Sequence, residues 1–158
     1  MDTSVTIIGL ALTLLIAIPL FYVLQSNSLN KTKIKTIKNK FSQNNRFHFE
    51  ITETQNKKVL SLDEKNKGFL LIDFNTKDEV VSFVDLNTIQ SCKLILTTEN
   101  NTETILKIEF QFHFKEDNKA TLISFYKIEN DQIGQVCLYE DHQLAKKWAK
   151  KIQDCITV

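Results

Sequence analysis

Apolar and polar residues alternate with a period of two along much of the chain after residue 46. The clearest example is ILKIEFQFHFK, in which apolar positions 106, 108, 110, 112 and 114 alternate with polar ones. Such alternation gives a strand one buried face and one solvated face, as in an antiparallel sheet. RFHFEITE shows the same pattern, and shorter apolar runs occur in KVLSLD, GFLLIDF, EVVSFVD, CKLILTT and ATLISFYKI. Polar turn clusters separate these runs, so the pattern predicts about seven antiparallel strands in a meander, a sandwich or a partly open barrel.

The period changes near the C-terminus, where EDHQLAKKWAKKIQDCI follows a helical repeat. Lysines occupy the polar side of this predicted helix. Its apolar face contains Leu144, Trp148, Ile152 and Cys155 or Ile156. Glu140 or Asp141 is expected to cap the first turn, where an acidic side chain also suits the helix dipole. We therefore expect a terminal helix that closes the open end of a curved sheet with Trp148.

The N-terminal part of the chain contains VTIIGLALTLLIAIPLFYVL, residues 5–24, without a charged side chain. A hydrocarbon core of about 30 Å requires roughly 20 helical residues. A cleaved signal peptide is the competing interpretation. However, Asp2 replaces a basic n-region, the run is long for a signal, and VLQSNS is a poor cleavage site. The sequence predicts a short outer tail and an uncleaved transmembrane helix within residues 1–25.

Basic residues follow the apolar run with no intervening acid. Between residues 26 and 46 they are Lys31, Lys33, Lys35, Lys38, Lys40 and Arg46. By the positive-inside rule, this bias places the N-terminus outside and the rest of the chain in the cytoplasm. Three cysteines without short spacing agree with a reduced cytosolic domain. The expected location is therefore the bacterial inner membrane, with a periplasmic domain as the minority interpretation.

The basic juxtamembrane segment, residues 26–46, also has a helical apolar pattern. Ile34, Ile37 and Phe41 are spaced to lie on one helical face. Each lysine near an acidic leaflet contributes about 1 kcal/mol to binding. The predicted membrane-surface contacts are Lys31, Lys33, Lys35, Lys38 and Lys40. Ile34, Ile37 and Phe41 form the predicted interface, which lies on the lipid or packs on the domain that follows.

The charge balance of the remaining chain argues against nucleic acid as a partner. Removing the six basic residues above and Asp2 from the totals of 20 and 19 leaves 14 basic and 18 acidic residues in 47–158, a net charge of −4. A mildly acidic domain beside a short basic segment lacks the broad positive surface of a phosphate reader. The basic segment also lacks interleaved stacking aromatics. We therefore expect no nucleic-acid binding.

Three stretches resemble small bacterial membrane-anchored proteins with a pleckstrin-homology-like cytosolic domain. They are the basic run after the apolar segment, LDEKNKGFLLIDF…VSFVDLNTIQSCKL, and ISFYKIENDQIGQVCLYEDHQLAKKWAKKI. In such proteins a strand-turn-strand unit leads to a DLNTI-like turn, and the chain ends in an LAKKWAKKI-like helix. The resemblance covers nearly the whole chain. It implies a mainly β fold in residues 47–158, an antiparallel sheet or partly open barrel closed by the C-terminal amphipathic helix.

Residues with catalytic or metal-binding chemistry occur without the spacing that such sites need. His48, His113 and His142 have no ligand spacing to one another, and the acidic pairs at 63–64 and 78–79 fall in turns. No Walker loop, GxSxG or HExxH motif occurs. Gly68 is predicted to take a left-handed turn conformation, and Cys92 to be an inert thiol. The sequence therefore predicts no enzyme, no cofactor and no metal site.

These patterns together predict a mainly β protein with one N-terminal transmembrane helix that functions by binding. The first hypothesis is an accessory subunit or adaptor whose partner is another membrane protein. The alternative is a sensor of anionic lipid headgroups that acts through the basic juxtamembrane segment. In both cases the lipid bilayer is a partner. The apolar alternating stripe that ends at Phe114 is expected to be core rather than a ligand pocket.

Overall fold

The computed structural model describes residues 13, 15, 16, 31–42, 44–76, 78–99, 104–116, 119–130 and 137–157 of the chain. The chain divides into two compact units, Met1–Asn39 and Lys40–Val158. The first unit contains helical residues 31–39, which belong to helix α1 over residues 31–41. The second contains the described strands and a C-terminal helix, α2, which spans Leu138–Thr157.

Seven antiparallel strands are described in the second unit, in two sheets. The first sheet has the order β1-β2-β3-β4 and the second the order β5-β6-β7, so strands that follow one another in sequence are neighbours within each sheet. The strands are β1 Ile51–Gln55, β2 Lys58–Asp63, β3 Gly68–Asp73, β4 Val80–Asp85, β5 Ile89–Thr98, β6 Ile105–Phe114 and β7 Ala120–Lys127. The expected antiparallel strands are confirmed, and they are divided between two sheets.

The alternating pattern places the core between the two sheets and α2. On β6, Ile108, Phe110 and Phe112 are fully buried, whereas the residues between them are half-buried. They join one apolar cluster with Phe69 of β3 and Trp148 of α2. The alternating stripe is therefore core, as predicted.

The DLNTI sequence forms the connection between the two sheets. Leu86–Thr88 is a short 3-10 helix, and the Asp85 side chain caps it by accepting a hydrogen bond from the Asn87 N–H. The buried Leu86 donates its own N–H to the carbonyl oxygen of Lys67 in the β2–β3 turn at 2.8 Å. This segment therefore fixes where β5 begins relative to the first sheet, which is a structural role.

Helix α2 buries the predicted apolar face. It packs against β5, β6 and β7. Trp148 is 0% exposed, as expected for the side chain that closes the core. The buried apolar residues on this face are Leu144, Ala145, Trp148, Ile152, Cys155 and Ile156.

The predicted N-terminal transmembrane helix is wrong as a description of this structure. No helix among the residues described is long and apolar enough to cross a membrane. Of the run 5–24, the structure describes Thr13, Leu15 and Ile16, which are helical and exposed, and the remainder lies outside the described residues.

The strand predicted over RFHFEITE begins later than expected. Residues 47–50 are not in a strand, and β1 starts at Ile51. The backbone N–H of His48 donates to the Asp63 carboxylate instead of joining a ladder. Phe47 is buried against Gly68, where an added Cβ would lie 2.5 Å from the Phe47 ring.

Gly68 is therefore required for close packing and not for a left-handed turn. The left-handed conformation in this turn belongs to Lys67, with φ 57°. The prediction for Gly68 identified the right turn and the wrong residue, because sequence alone did not reveal the approach of the Phe47 ring.

Candidate functional site

Helix α1 presents most of its lysines to solvent. The segment LNKTKIKTIKNKF contains no acidic residue, and its residues 31–41 are helical, as predicted. Its exposed lysines are Lys31, Lys33, Lys35 and Lys40. Lys38 is half-buried, and burial lowers the pKa of its ammonium group below the usual value. Four of the five predicted lipid-contact lysines are thus exposed.

The half-buried residues of α1 form one stripe. They are Ile34, Ile37, Lys38 and Phe41, at the i, i+3, i+4 and i+7 spacing of a helical face. At about 100° per residue, Lys31 and Lys35 lie on one side of this stripe. Lys33 and Lys40 lie on the other side. A helix with lysines on both flanks of an apolar stripe has the pattern of an interfacial helix, whose long side chains reach headgroups.

Phe41 contacts the β domain, residues 47–158, which contains the seven described strands and α2. Its ring centroid lies 5.9 Å from that of Phe83 on β4. Phe47 and Phe49 also pack against Phe83, with centroid distances of 5.1 and 6.3 Å. The Arg46 guanidinium lies over the Phe47 ring and pairs with Asp85 at 2.9 Å. The predicted interface was expected either to lie on the lipid or to pack on the following domain. Phe41, one of its three residues, packs on the domain.

The histidines and the cysteine considered as chemical candidates lie in separate places. His48 is exposed, and His113 is half-buried beside Gln111. Cys92 is buried, which raises the pKa of its thiol to about 12 and keeps it protonated near neutral pH. His142 has a pKa lowered by burial and by nearby Lys146, and its Nε2 has no hydrogen-bond partner among the described residues.

No group of three His, Cys, Asp or Glu side chains within the described part of the chain is arranged to hold a metal ion. Of the two predicted acidic turn pairs, Asp63 accepts a hydrogen bond from the backbone N–H of His48, not from its ring. Asp63 accepts hydrogen bonds from the Asn66 backbone and side chain at 2.9 and 2.8 Å. Its role is therefore to hold the β2–β3 turn.

A buried ion pair joins the first sheet to the start of α2, and sequence reasoning missed it. Lys58 Nζ lies 2.6 Å from Asp141 Oδ2, and the two side chains are 5% and 1% exposed. Asn56 Nδ2 donates to the other carboxylate oxygen at 3.0 Å. The ammonium group also lies over the rings of Phe125 and Tyr126. Glu140 or Asp141 was expected to cap the first turn of α2, and Asp141 instead pairs with a buried lysine.

A second polar link joins β1 to α2 beside Trp148. The indole Nε1 donates to Glu53 Oε2 at 2.9 Å, and Lys147 Nζ donates to Glu53 Oε1 at 2.7 Å. Burial alone would raise the pKa of Glu53, but the hydrogen bonds from Lys147 and Trp148 outweigh it and lower the pKa. The carboxylate is thus held ionised, which suits a structural clamp between strand and helix.

The lowered pKa of Asp63 leads us to expect that the protein loses stability in acid. Burial alone would raise its pKa, but hydrogen bonds from Asn66, His48 and Lys65 outweigh this effect and lower the pKa below 3.8. A carboxyl with a lowered folded-state pKa stabilises the protein above its unfolded-state pKa, and the contribution is lost as pH falls through the folded-state pKa. We expect Asp63→Asn to be less stable at pH 7 and to show a shallower decrease of unfolding free energy below about pH 4.

Urea unfolding at a series of pH values measures this effect. Glu64→Gln is the matched control, because Glu64 is an exposed carboxylate in the same turn. An Asp63→Asn variant whose stability falls in acid as steeply as that of the parent would contradict the prediction.

No family model, curated protein or solved structure matches this chain. The resemblance to membrane-anchored proteins with a pleckstrin-homology-like domain therefore stays a prediction.

Proposed function

We propose that this protein is a binding module that attaches to anionic lipid surfaces through helix α1. The observation that carries the proposal is the set of exposed lysines on an acid-free helix, Lys31, Lys33, Lys35 and Lys40. They flank the stripe that contains Ile34 and Ile37, so the lysine ammonium groups would reach lipid phosphates on both sides of it. The inner membrane remains the proposed location.

The expected strength of this attachment is moderate and graded. Each lysine near an acidic leaflet contributes about 1 kcal/mol, so four contribute roughly 4 kcal/mol in favourable conditions. Exposed charges are screened over about 8 Å at physiological ionic strength, so binding should weaken as salt rises. The net charge of −4 in residues 47–158 opposes attachment of the β domain itself.

Vesicle binding by the full-length chain tests the proposal. We expect stronger binding to phosphatidylcholine vesicles that contain phosphatidylserine than to phosphatidylcholine vesicles alone, which give the baseline for apolar contacts. Replacing Lys31, Lys33, Lys35 and Lys40 with Gln should weaken the phosphatidylserine-dependent binding by up to about 10³-fold. The remaining binding should depend much less on salt concentration.

The matched control replaces four exposed lysines outside α1 with Gln. These are Lys65, Lys93, Lys146 and Lys150. This variant has the same change in net charge, and we expect it to retain phosphatidylserine-dependent binding. Equal losses in the two variants would show that net charge alone governs attachment and would refute a role for α1. Equal binding of the parent to both vesicle types would refute the lipid-surface function itself.

An accessory-subunit or adaptor role is the second candidate, with another membrane protein as partner. Large apolar side chains that are exposed on the β domain support it, notably Leu122 on β7 and Tyr139 in the first turn of α2. Purification in mild detergent distinguishes the two roles. A stoichiometric protein partner that is lost in Leu122→Asp or Tyr139→Asp supports the adaptor role. Anionic lipid without a protein partner supports the first proposal.

A further inference from the structure

Strand β5 has an edge that the described part of the chain leaves open. Within the described residues β5 is hydrogen-bonded to a strand on one side only, which is β6. Leu96 on this strand is 41% exposed, although its partner residue on β6, Ile108, is fully buried. A strand edge with an exposed apolar side chain is a template for pairing with another strand.

The backbone groups that face this edge can be assigned from one hydrogen bond. The Cys92 N–H donates to Gln153 Oε1 of α2 at 2.9 Å, so it points away from β6. In an antiparallel pair, residues alternate between those bonded to the partner strand and those whose N–H and C=O point outward. Leu94 and Leu96 therefore direct both backbone groups to the open edge, whereas Lys93 and Ile95 bond to β6.

Two features limit the regular part of the edge. Gln153 occupies the Cys92 N–H at one end. At the other end, the pairing with β6 shifts register between Thr97 and Thr98. The free and regular segment is thus 93–97, and its central residue is Ile95.

We propose that a second copy of this chain binds at this edge, with the two β5 strands antiparallel about a two-fold axis through Ile95. In this register Leu94 lies opposite Leu96 of the partner copy, and each such pair exchanges both backbone hydrogen bonds. The arrangement is isologous, so it forms a closed dimer and does not propagate into a filament.

The side chains of the segment complement themselves in this register. Leu94 and Leu96 lie on the face of the sheet that covers the core, so the exposed Leu96 would be covered by Leu94 of the partner copy. On the other face, the half-buried Ile95 meets its own copy. Lys93 lies opposite Thr97, so no like charges face each other directly, which would be unfavourable. The segment is therefore suited to pair with itself.

Oxidative cross-linking of the full-length chain tests the register. Ile95→Cys places two thiols at a directly opposed, non-hydrogen-bonded pair, where Cα atoms lie about 4.5 Å apart and a disulfide can form. Lys93→Cys is the control on the same face, because two copies of position 93 would lie roughly 13 Å apart along the strands. Both variants carry Cys137→Ser, which removes the one native cysteine that is not buried.

We expect Ile95→Cys to form a disulfide dimer at least about ten times faster than Lys93→Cys, as the distance requirement for a disulfide demands. A mixture of Lys93→Cys and Thr97→Cys chains should form the mixed dimer, since these positions are opposed. Equal cross-linking at 93 and 95, or none at 95 in a folded protein, would overturn the proposal.

A backbone variant tests whether strand pairing brings the two engineered thiols together. Leu96→Pro removes an N–H that faces the open edge and leaves the bonds between β5 and β6 intact, as proline on an edge strand permits. Added to Ile95→Cys, it should abolish the rapid cross-link while the circular dichroism spectrum is kept. Leu96→Val, which keeps the N–H, should preserve the cross-link. Rapid cross-linking of the proline variant would show that strand pairing does not hold the two copies together.

Discussion

Trp148→Ala is expected to lower the free energy of unfolding by about 3–5 kcal/mol, as large aromatic truncations in cores do. The side chain is fully buried, and its ring centroid lies 6.1 Å from that of Phe69 on β3. Truncation would leave a cavity between α2 and the sheets and would remove the indole donor to Glu53. Urea unfolding of the full-length chain measures the change. The comparison assumes that the unfolding free energy of parent and variant depends equally steeply on urea concentration.

Lys147→Ala is the matched control on the neighbouring position. Its ammonium group pairs with Glu53, but the two side chains are 53% and 30% exposed. Exposed ion pairs contribute about 0.2–1 kcal/mol, so the variant should remain close to the parent. Small and equal effects at 147 and 148 would show that α2 does not hold the core together.

Trp148→Phe separates the packing of the ring from the hydrogen bond of the indole. Phenylalanine retains much of the apolar contact but has no donor for Glu53. We expect a loss of about 1.5 kcal/mol beyond the effect of the smaller ring, at the low end of the range for bonds to charged groups, because Glu53 is partly exposed. The pKa of Glu53 should also rise in this variant, since one of the bonds that lower it is removed.

The elements with a strong period could be predicted from the sequence. The period of two on β6 identified its buried face, because a residue's side of a strand depends only on its position in the alternation. The helical repeat of α2 identified Trp148 in the same way. The lysine-rich segment was also predicted as a helix with Ile34 and Ile37 on one face, and both are half-buried.

Features that depend on contacts between distant segments could not be predicted. The alternation at Phe47 and Phe49 indicated a strand, but the Asp63 carboxylate takes the His48 N–H and the chain enters β1 later. The division of strands between two sheets depends on the 3-10 turn at Leu86–Thr88, whose hydrogen bond to Lys67 is not visible in a local pattern. The apolar run at 5–24 indicated a membrane span from hydropathy alone, and the described helices do not include one.

The Lys58–Asp141 pair is the clearest case of a contact that local patterns do not show. The two residues are 83 positions apart. Lys58 follows a tight turn in which Asn56 and Lys57 both have positive φ. Asp141 lies in the first turn of α2, where an acidic side chain has an ordinary explanation as a dipole partner. Only the fold brings the two charges together away from water.

Asp141→Ala is expected to cost about 3–5 kcal/mol of unfolding free energy, because it leaves the Lys58 ammonium group buried without a counter-charge. The neighbouring rings of Phe125 and Tyr126 compensate only in part, since a cation over an aromatic face contributes about 0.5–2 kcal/mol. Lys58→Met should also lower the free energy of unfolding, because it leaves the Asp141 carboxylate buried without a counter-charge. Asp141 would retain the bond from Asn56 but lose its cation.

The double variant Lys58→Met, Asp141→Leu tests whether the cost arises from the unpaired charge or from lost packing. Replacing a buried ion pair with apolar side chains of similar volume is often neutral or stabilising, so we expect the double variant to recover most of the stability lost in either single variant. A coupling energy of several kcal/mol in this double-mutant cycle would identify the pair as a unit. Additive losses would instead show that each side chain stabilises the protein through separate contacts. In that case, the joint between the β1–β2 hairpin and α2 would depend on packing at Phe125 and Tyr126 rather than on the opposed charges.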